Sequence, residues 1–427
     1  MKLDGGFFRQ EAARLLATLT RAFGMANLAL AEDVVQETLA DAFETWSYQG
    51  VPPHYAALLT TAAKNRAIDV FRRQRTARRF APELQWHIES EWALAPAVEA
   101  MFLPDALKDD ELRMMFTCCH PRLGEDVQVA LVLHLLCAFG VEEIASAFLV
   151  SPSAIEKRIS RGKKLLSESG QLFELTRADF LPRLSAVHRA LYLLFNEGYH
   201  GASALAVVRG DLCRDAMRLV RLLVDHQPSA TPTTYGLAAL MWLVAARLPA
   251  RIDQAGNLKD LFEQDRSMWD EQLLGEGMRF LERSASGDMI TEYHVEAAIA
   301  GMHSAAGEAR ATPWADILEL YDVLMKIRPS PVVALNRAVA IAQHQGPAKG
   351  LEAVRAIEDA GRLTTYPFYP AVLGELELRC GHVEVARKHF QEAHRLARNQ
   401  GERRFLDNRI EDCTPKTVPG RQDPVRR

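Results

Sequence analysis

Several features that would define other protein classes are scarce in this sequence. Its six cysteines, in 427 residues, follow no regular spacing and form no CxxC pair, which argues against a disulfide framework or a zinc ribbon. Cys118, Cys119 and His120, with His134 and Cys137 nearby, invite a metal reading. Adjacent cysteines ligate one ion poorly, so buried thiols are expected and no metal or cofactor is assigned. Long apolar runs are missing too. The stretches Val127–Val141 and Gly236–Leu248 fall short of the roughly 20 apolar residues that span a bilayer. Met1–Arg14 lacks the apolar core of a signal peptide, so a cytoplasmic protein with no membrane partner is expected. There is no Gly-rich phosphate loop, HExxH or GxSxG, and no enzymatic activity is expected. His188, His200, His294 and His303 are scattered and read as structural or surface residues. Strand-like alternation is absent. A net charge of −4 carries no overall nucleic-acid signature, which moves the question to local charge.

What is present is helix almost throughout. Ala, Leu, Glu and Arg dominate, and apolar residues recur at three- and four-residue intervals. The pattern predicts an all-α chain of two small helical domains and a large helical C-terminal domain. Residues 1–80 form the first and 81–105, with Pro82, Pro96 and Pro104, a linker; 106–168 form the second, 169–410 the large domain and 411–427 a disordered tail. In the large domain, Ala334–Ala340 leads to Gly346, and Ala371–Leu376 leads to Gly381. The glycines lie 35 residues apart, close to the roughly 34-residue tetratricopeptide period. Each glycine is expected to end the first helix of a pair, with small residues letting the pair approach. The segment Asn196–His200 reads as a turn without an assigned role, with a ligand or partner pocket as one option.

Three segments carry chemistry. In Leu30–Trp46, the residues Val35, Leu39, Ala42, Phe43 and Trp46 are expected as a buried stripe. Asp33, Gln36, Glu37, Asp41 and Glu44 then face outward. An acidic helix face repels phosphates and suits a basic protein surface. Lys64–Arg79 holds seven basic residues against one acidic, a local charge of +6 that calls for a polyanion. Asn65 offers donors and an acceptor to base edges, and Phe71 reads as core. The sharpest segment is Gly140–Lys164, which reads as helix-turn-helix. Ile144 and Ala145 are buried in the first helix, Val150 plugs the turn, Ser151 caps the second helix and Pro152 opens it. Ile155 and Ile159 anchor that helix. Ser153, Ala154, Lys157, Arg158 and Arg161 face outward, and Lys157–Lys164 carries five basic residues and no acidic one.

The order of acidic-faced helix, basic Asn65–Asp69 segment, linker and helix-turn-helix resembles the bacterial sigma factors of the extracytoplasmic-function group over about residues 7–168. Phe116–Pro121, Leu194–Tyr199 and Gln264–Asp270 resemble the subgroup with a tetratricopeptide-like extension. The resemblance implies that Asp33, Gln36, Glu37 and the neighbouring Asp41 bind the β′ clamp helices of core RNA polymerase. It implies that Lys64, Asn65, Arg66, Asp69, Arg72 and Arg73 melt and read the −10 element of promoter DNA. Ser153, Lys157, Arg158 and Arg161, with Lys163 and Lys164, would bind the −35 element, and the fourth domain would also touch the β flap. The extension would act in cis and take a protein or peptide partner. Gly24–Asn27 replaces the acidic turn expected before the clamp-binding helix, with Asn27 left to cap it. Two rivals remain: a stand-alone helix-turn-helix regulator with a sensory repeat domain, and a tetratricopeptide scaffold.

Overall fold

The computed structural model describes residues 5–73, 98–148, 150–168, 177–200, 208–253 and 257–413. Most of the linker segment and the tail beyond residue 413 lie outside them. Among the described residues the chain is all-α, with no strand beyond an isolated bridge between Ile252 and Leu258. No helix among them is long and apolar enough to cross a membrane. They fall into two compact units: those up to residue 200 together with Val208–Met241, and those from Trp242 onward.

The first unit begins with α1 (Gly5–Phe23), α2 (Leu28–Gln49) and α3 (Tyr55–Arg73). In α2, Ala31, Val34, Val35, Thr38 and Trp46 are buried, the three- and four-residue spacing that turns one helical face to a core. Phe43, expected in that stripe, is instead 57% exposed, its ring edge against Phe8 at 6.3 Å. Thr38 fills the stripe in its stead, its hydroxyl turned back to the carbonyl of Val34 at 2.7 Å. Asn27 does not cap α2 with its side chain. Its Nδ2 donates to the carbonyl of Phe23 at 2.7 Å, because the intervening 3-10 turn brings the open C-terminus of α1 within reach first. Phe71 is core, packed edge-on against Phe23 at 5.2 Å.

Four helices follow: α4 (Pro104–Cys118), α5 (Glu125–Leu135), α6 (Val141–Phe148) and α7 (Pro152–Glu168). Ile144, Ala145, Ile155 and Ile159 are buried, Val150 is half-buried and Pro152 holds the first position of α7. At Gly162 an added Cβ would stand 2.7 Å from Leu131 and 2.9 Å from Val127, so α7 lies hard against α5. The thiols of Cys118, Cys119 and Cys137 are buried, and burial pushes that of Cys119 up to about 12.

Two further helices complete this unit, α8 (Arg177–His200) and α9 (Gly210–Asp225), and the division from the second unit falls within α10 (Pro232–Ala245). Residues 196–200 are therefore the last turn of α8 and not a loop. Gly198 explains the motif there: a Cβ would meet the backbone nitrogen of Cys213 at 2.8 Å and the carbonyl of Arg209 at 2.9 Å. The Gly198 carbonyl accepts the Arg209 N–H at 2.8 Å, which sets the start of α9.

In the second unit, α11 (Glu271–Ser284), α12 (Glu292–Ala305), α13 (Trp314–Ile327), α14 (Pro331–Gln345), α15 (Pro347–Arg355), α16 (Phe368–Arg379), α17 (Val383–Leu396) and α18 (Gln400–Asp412) pack in sequence. Gly346 (φ 99°) and Gly381 (φ 85°) break the chain between α14 and α15 and between α16 and α17, a conformation that favours glycine. Gly350 lies against the methyl of Ala342, and Gly374 against the ring of Phe390, where a Cβ would stand at 2.9 Å. The segment Gln264–Asp270 is a joint. Trp269 lies between the guanidiniums of Arg247 (5.2 Å) and Arg266 (5.0 Å). Arg266 also donates to the carbonyl of His303 at 2.8 Å and to that of Ala306, satisfying the end of α12. Asp270 caps α11 by accepting from the backbone N–H groups of Gln272 and Leu273.

His303, buried beside this joint, is held down at about 3 by burial and by the charges of Arg247 and Arg266. It stays neutral in the folded chain while the unfolded chain takes up a proton near pH 6.5. Stability conferred by this joint is therefore present above about pH 6.5 and lost progressively as pH falls towards 3. Thermal melts from pH 7 to 4 are expected to show a falling midpoint, with a shallower fall in His303→Phe, which keeps the ring against Trp314 but binds no proton. Equal slopes in the two proteins would refute this.

Candidate promoter and polymerase interface

On α2, Asp33, Gln36, Glu37 and Asp41 all stand exposed on the face opposite the buried stripe. The basic segment on α3 packs across from them. Arg66 forms an ion pair with Asp41 and lies 3.8 Å from Glu37, so one member of the basic set leans onto two of the acidic set. Lys64 pairs with Glu99 at 3.2 Å, and Asp69 and Arg72, both exposed, lie 4.0 Å apart one turn from each other. Asn65 is exposed. Arg73 ends α3, and its side chain, like the arginines at 75, 78 and 79, lies outside the described residues.

On α7, Ser153, Lys157, Arg161 and Lys164 are exposed, and Ala154 is half-buried. Ser153 shares its hydroxyl with that of Ser151 at 3.2 Å. Among the described residues, neither Lys157 nor Arg161 has a carboxylate partner, so both present charge to solvent. Lys164 lies 4.0 Å from Glu168 across one helical turn, an exposed pair of little weight. Arg158 behaves differently: half-buried, it meets Asp126 of α5 at 3.2 Å. Lys163 turns away from the exposed edge altogether. Its ammonium donates to Glu32 of α2 at 2.5 Å and meets His134 Nε2 at 3.2 Å. Burial and the nearby ammonium hold His134 below its ordinary range.

Sequence reasoning did not foresee the links between these helices. Asp110 of α4 is fully buried and accepts from Thr18 Oγ1 and Arg21 Nη1 of α1, both at 3.0 Å. The α8–α9 pair is tied in as well. Arg218 grips Glu111 with two bonds of 2.7 and 2.8 Å, Arg209 donates to Glu143 at 2.6 Å, and Arg9 pairs with Asp211. These partners lie 66 to 202 residues apart in sequence, a range at which spacing gives no signal.

Helices α1–α3 and α4–α7 carry the sequences of sigma-70 region 2 and region 4. A model of sigma-70 region 2 matches residues 7–77, and one of sigma-70 region 4 matches residues 113–166. A family of unknown function (DUF6596) matches residues 183–285. An uncharacterized protein of Rhizobium meliloti (strain 1021) is 36% identical over 397 residues, covering 92% of each chain. No solved structure matches. The chain belongs to the sigma-70 family, in the extracytoplasmic-function-like form that carries a C-terminal extension. It is a sigma factor, whose partners are core RNA polymerase and promoter DNA.

Proposed function

We propose that this sigma factor docks on the β′ clamp helices through Asp33, Gln36, Glu37 and Asp41. It takes the −10 element with Lys64, Asn65, Arg66, Asp69, Arg72 and Arg73. Helix α7 reads the −35 element, with Ser153, Lys157 and Arg161 nearest the bases and Lys164 supplying charge, while Arg158 and Lys163 are held by Asp126 and Glu32 and region 4 meets the β flap. The observation that carries this reading is α7 itself: a helix anchored by buried Ile155 and Ile159 whose opposite edge presents Lys157 and Arg161 to solvent with no carboxylate partner among the described residues. The acidic face of α2 distinguishes it from a stand-alone regulator, which would not need one.

The extension regulates activity in cis. A fused domain acts at an effective concentration of about millimolar when the connection is short, so weak contacts suffice. Stacked helical pairs of the second unit make the kind of surface that takes a peptide or protein partner.

Transcription reconstituted from core polymerase and the purified chain tests the reading. Promoter-specific transcripts are expected, and their absence would refute it in favour of the stand-alone regulator. Arg161→Ala is expected to change which −35 sequences are used, because a bidentate base contact discriminates by about 1–3 kcal/mol. Lys164→Ala is expected to weaken all promoters alike.

A further inference from the structure

Ala154, Arg158 and Arg161 of α7 recur at spacings of four and three residues and so share one edge of the helix. Arg161 stands exposed on that edge, with no carboxylate partner among the described residues. Arg158 is half-buried and held: one guanidinium nitrogen lies 3.2 Å from Asp126, in the first turn of α5.

Asp126 is a fixed post. The residue after it, Val127, packs against α7 at Gly162, where an added Cβ would stand 2.9 Å from its side chain. The backbone N–H groups of Val127 and Gln128 both donate to the Gly124 carbonyl, at 2.9 and 3.1 Å. The side chain of buried Gln128 donates to the carbonyls of His120 and Leu123 at 2.9 and 3.0 Å, which ties down the turn into α5. The Asp126 side chain is 66% exposed and that of Arg158 25%. A pair this open adds little to stability. Its effect is on where the guanidinium points.

We propose that Asp126 is a positioning residue for promoter recognition, holding the Arg158 guanidinium on the edge it shares with Arg161 so that it meets a guanine of the −35 element. The inference rests on the assignment of α7 to that element. A guanidinium is a rigid fork of five N–H groups, so a carboxylate can take one side while another meets the O6 and N7 of a guanine. An arginine fixed beforehand has less rotamer freedom to lose when the base arrives. The same carboxylate places a negative charge near the DNA phosphates, which weakens attraction to any sequence. Asp126 therefore sharpens discrimination while lowering general affinity, two effects of opposite sign that a residue of purely structural importance would not produce.

The test uses the full chain with core polymerase on a promoter pool randomised across the −35 element. Wild type is expected to select a guanine at one position, a preference that Arg158→Ala removes. Asp126→Asn is expected to lower discrimination at that same position about tenfold and to leave the other positions of the element unchanged. Affinity of the same variant for DNA without a promoter is expected to rise, because a negative charge is gone. Asp126→Glu keeps a carboxylate within reach and is expected to recover most of the discrimination. In the Arg158→Ala background, Asp126→Asn is expected to change selection no further. Unchanged discrimination in Asp126→Asn would overturn the proposal. So would a loss spread evenly over the element together with weaker binding to all DNA, the mark of a damaged fold. Failure of the −35 assignment looks different: wild type itself would select no sequence there, and the proposal would fall with it.

Discussion

A chain ending at Glu168, which keeps both sigma regions and removes the rest, is expected to lose its folded structure and with it core binding. Helices α8 and α9 are part of the first unit's core. Val187, Ala190, Leu191, Leu194, Leu212, Ala216 and Leu219 are fully buried, and α8 and α9 pack against α1, α4 and α5. Phe180 meets Phe116 edge-on at 4.7 Å, and Arg183 donates to the Phe116 carbonyl at 3.2 Å. Burying one Val or Leu side chain contributes about 1.5–3 kcal/mol. A domain's whole net stability is about 5–15 kcal/mol, so losing half a dozen such contacts is enough to abolish it. The cut also strips Arg218 from Glu111, a carboxylate only 1% exposed. Circular dichroism melts and gel filtration read the result: a broad or absent transition and aggregation are expected. A cooperative melt at the wild-type midpoint would show that the regions fold without the extension. Activity lost on such a truncation therefore says nothing of regulation unless the melt is recorded beside it.

The second large effect is expected at the polymerase face. Asp33→Arg combined with Glu37→Arg should lower affinity for core polymerase by at least about 100-fold, since breaking a charge pair at an interface costs about 2–5 kcal/mol and a reversal adds repulsion. Both side chains stand exposed on α2, and Glu37 lies 3.8 Å from Arg66, which keeps Asp41 as a partner. Helical content and melting temperature should accordingly stay at wild-type values. Co-elution of the double variant with core polymerase at wild-type stoichiometry would remove α2 from the interface.

Much of this was legible in the sequence because it is local. Buried Ile144, Ala145, Ile155 and Ile159 follow from helical spacing on either side of the turn before Pro152, and the positive φ of Gly346 and Gly381 follows from glycine at a helix end. The exposed acidic face of α2 is the complement of its buried one. What spacing could not reveal depends on neighbours far along the chain. Phe43 has the right period for the core, yet it is exposed and lies against Phe8 instead. Asn27 has the chemistry of a helix cap but finds the carbonyl of Phe23 first. Lys163 belongs to a basic run that reads as DNA-facing, while its partner Glu32 lies 131 residues earlier. Gly198 drew attention as part of a motif; its reason is the backbone of α9 approaching it, which a helical pattern does not encode.

The pairing of Arg218 with Glu111 bears on how such proteins can be recombined. Each residue of the pair comes from a segment that the other needs: the guanidinium from the extension, the buried carboxylate from region 4. An extension grafted onto a sigma factor whose α4 lacks that carboxylate would carry an arginine with nothing to answer it, and the recipient would gain a passenger without a seat. Sigma regions and extension of this chain therefore make a matched set, and chimeras should be joined beyond α10, where the first unit is already complete.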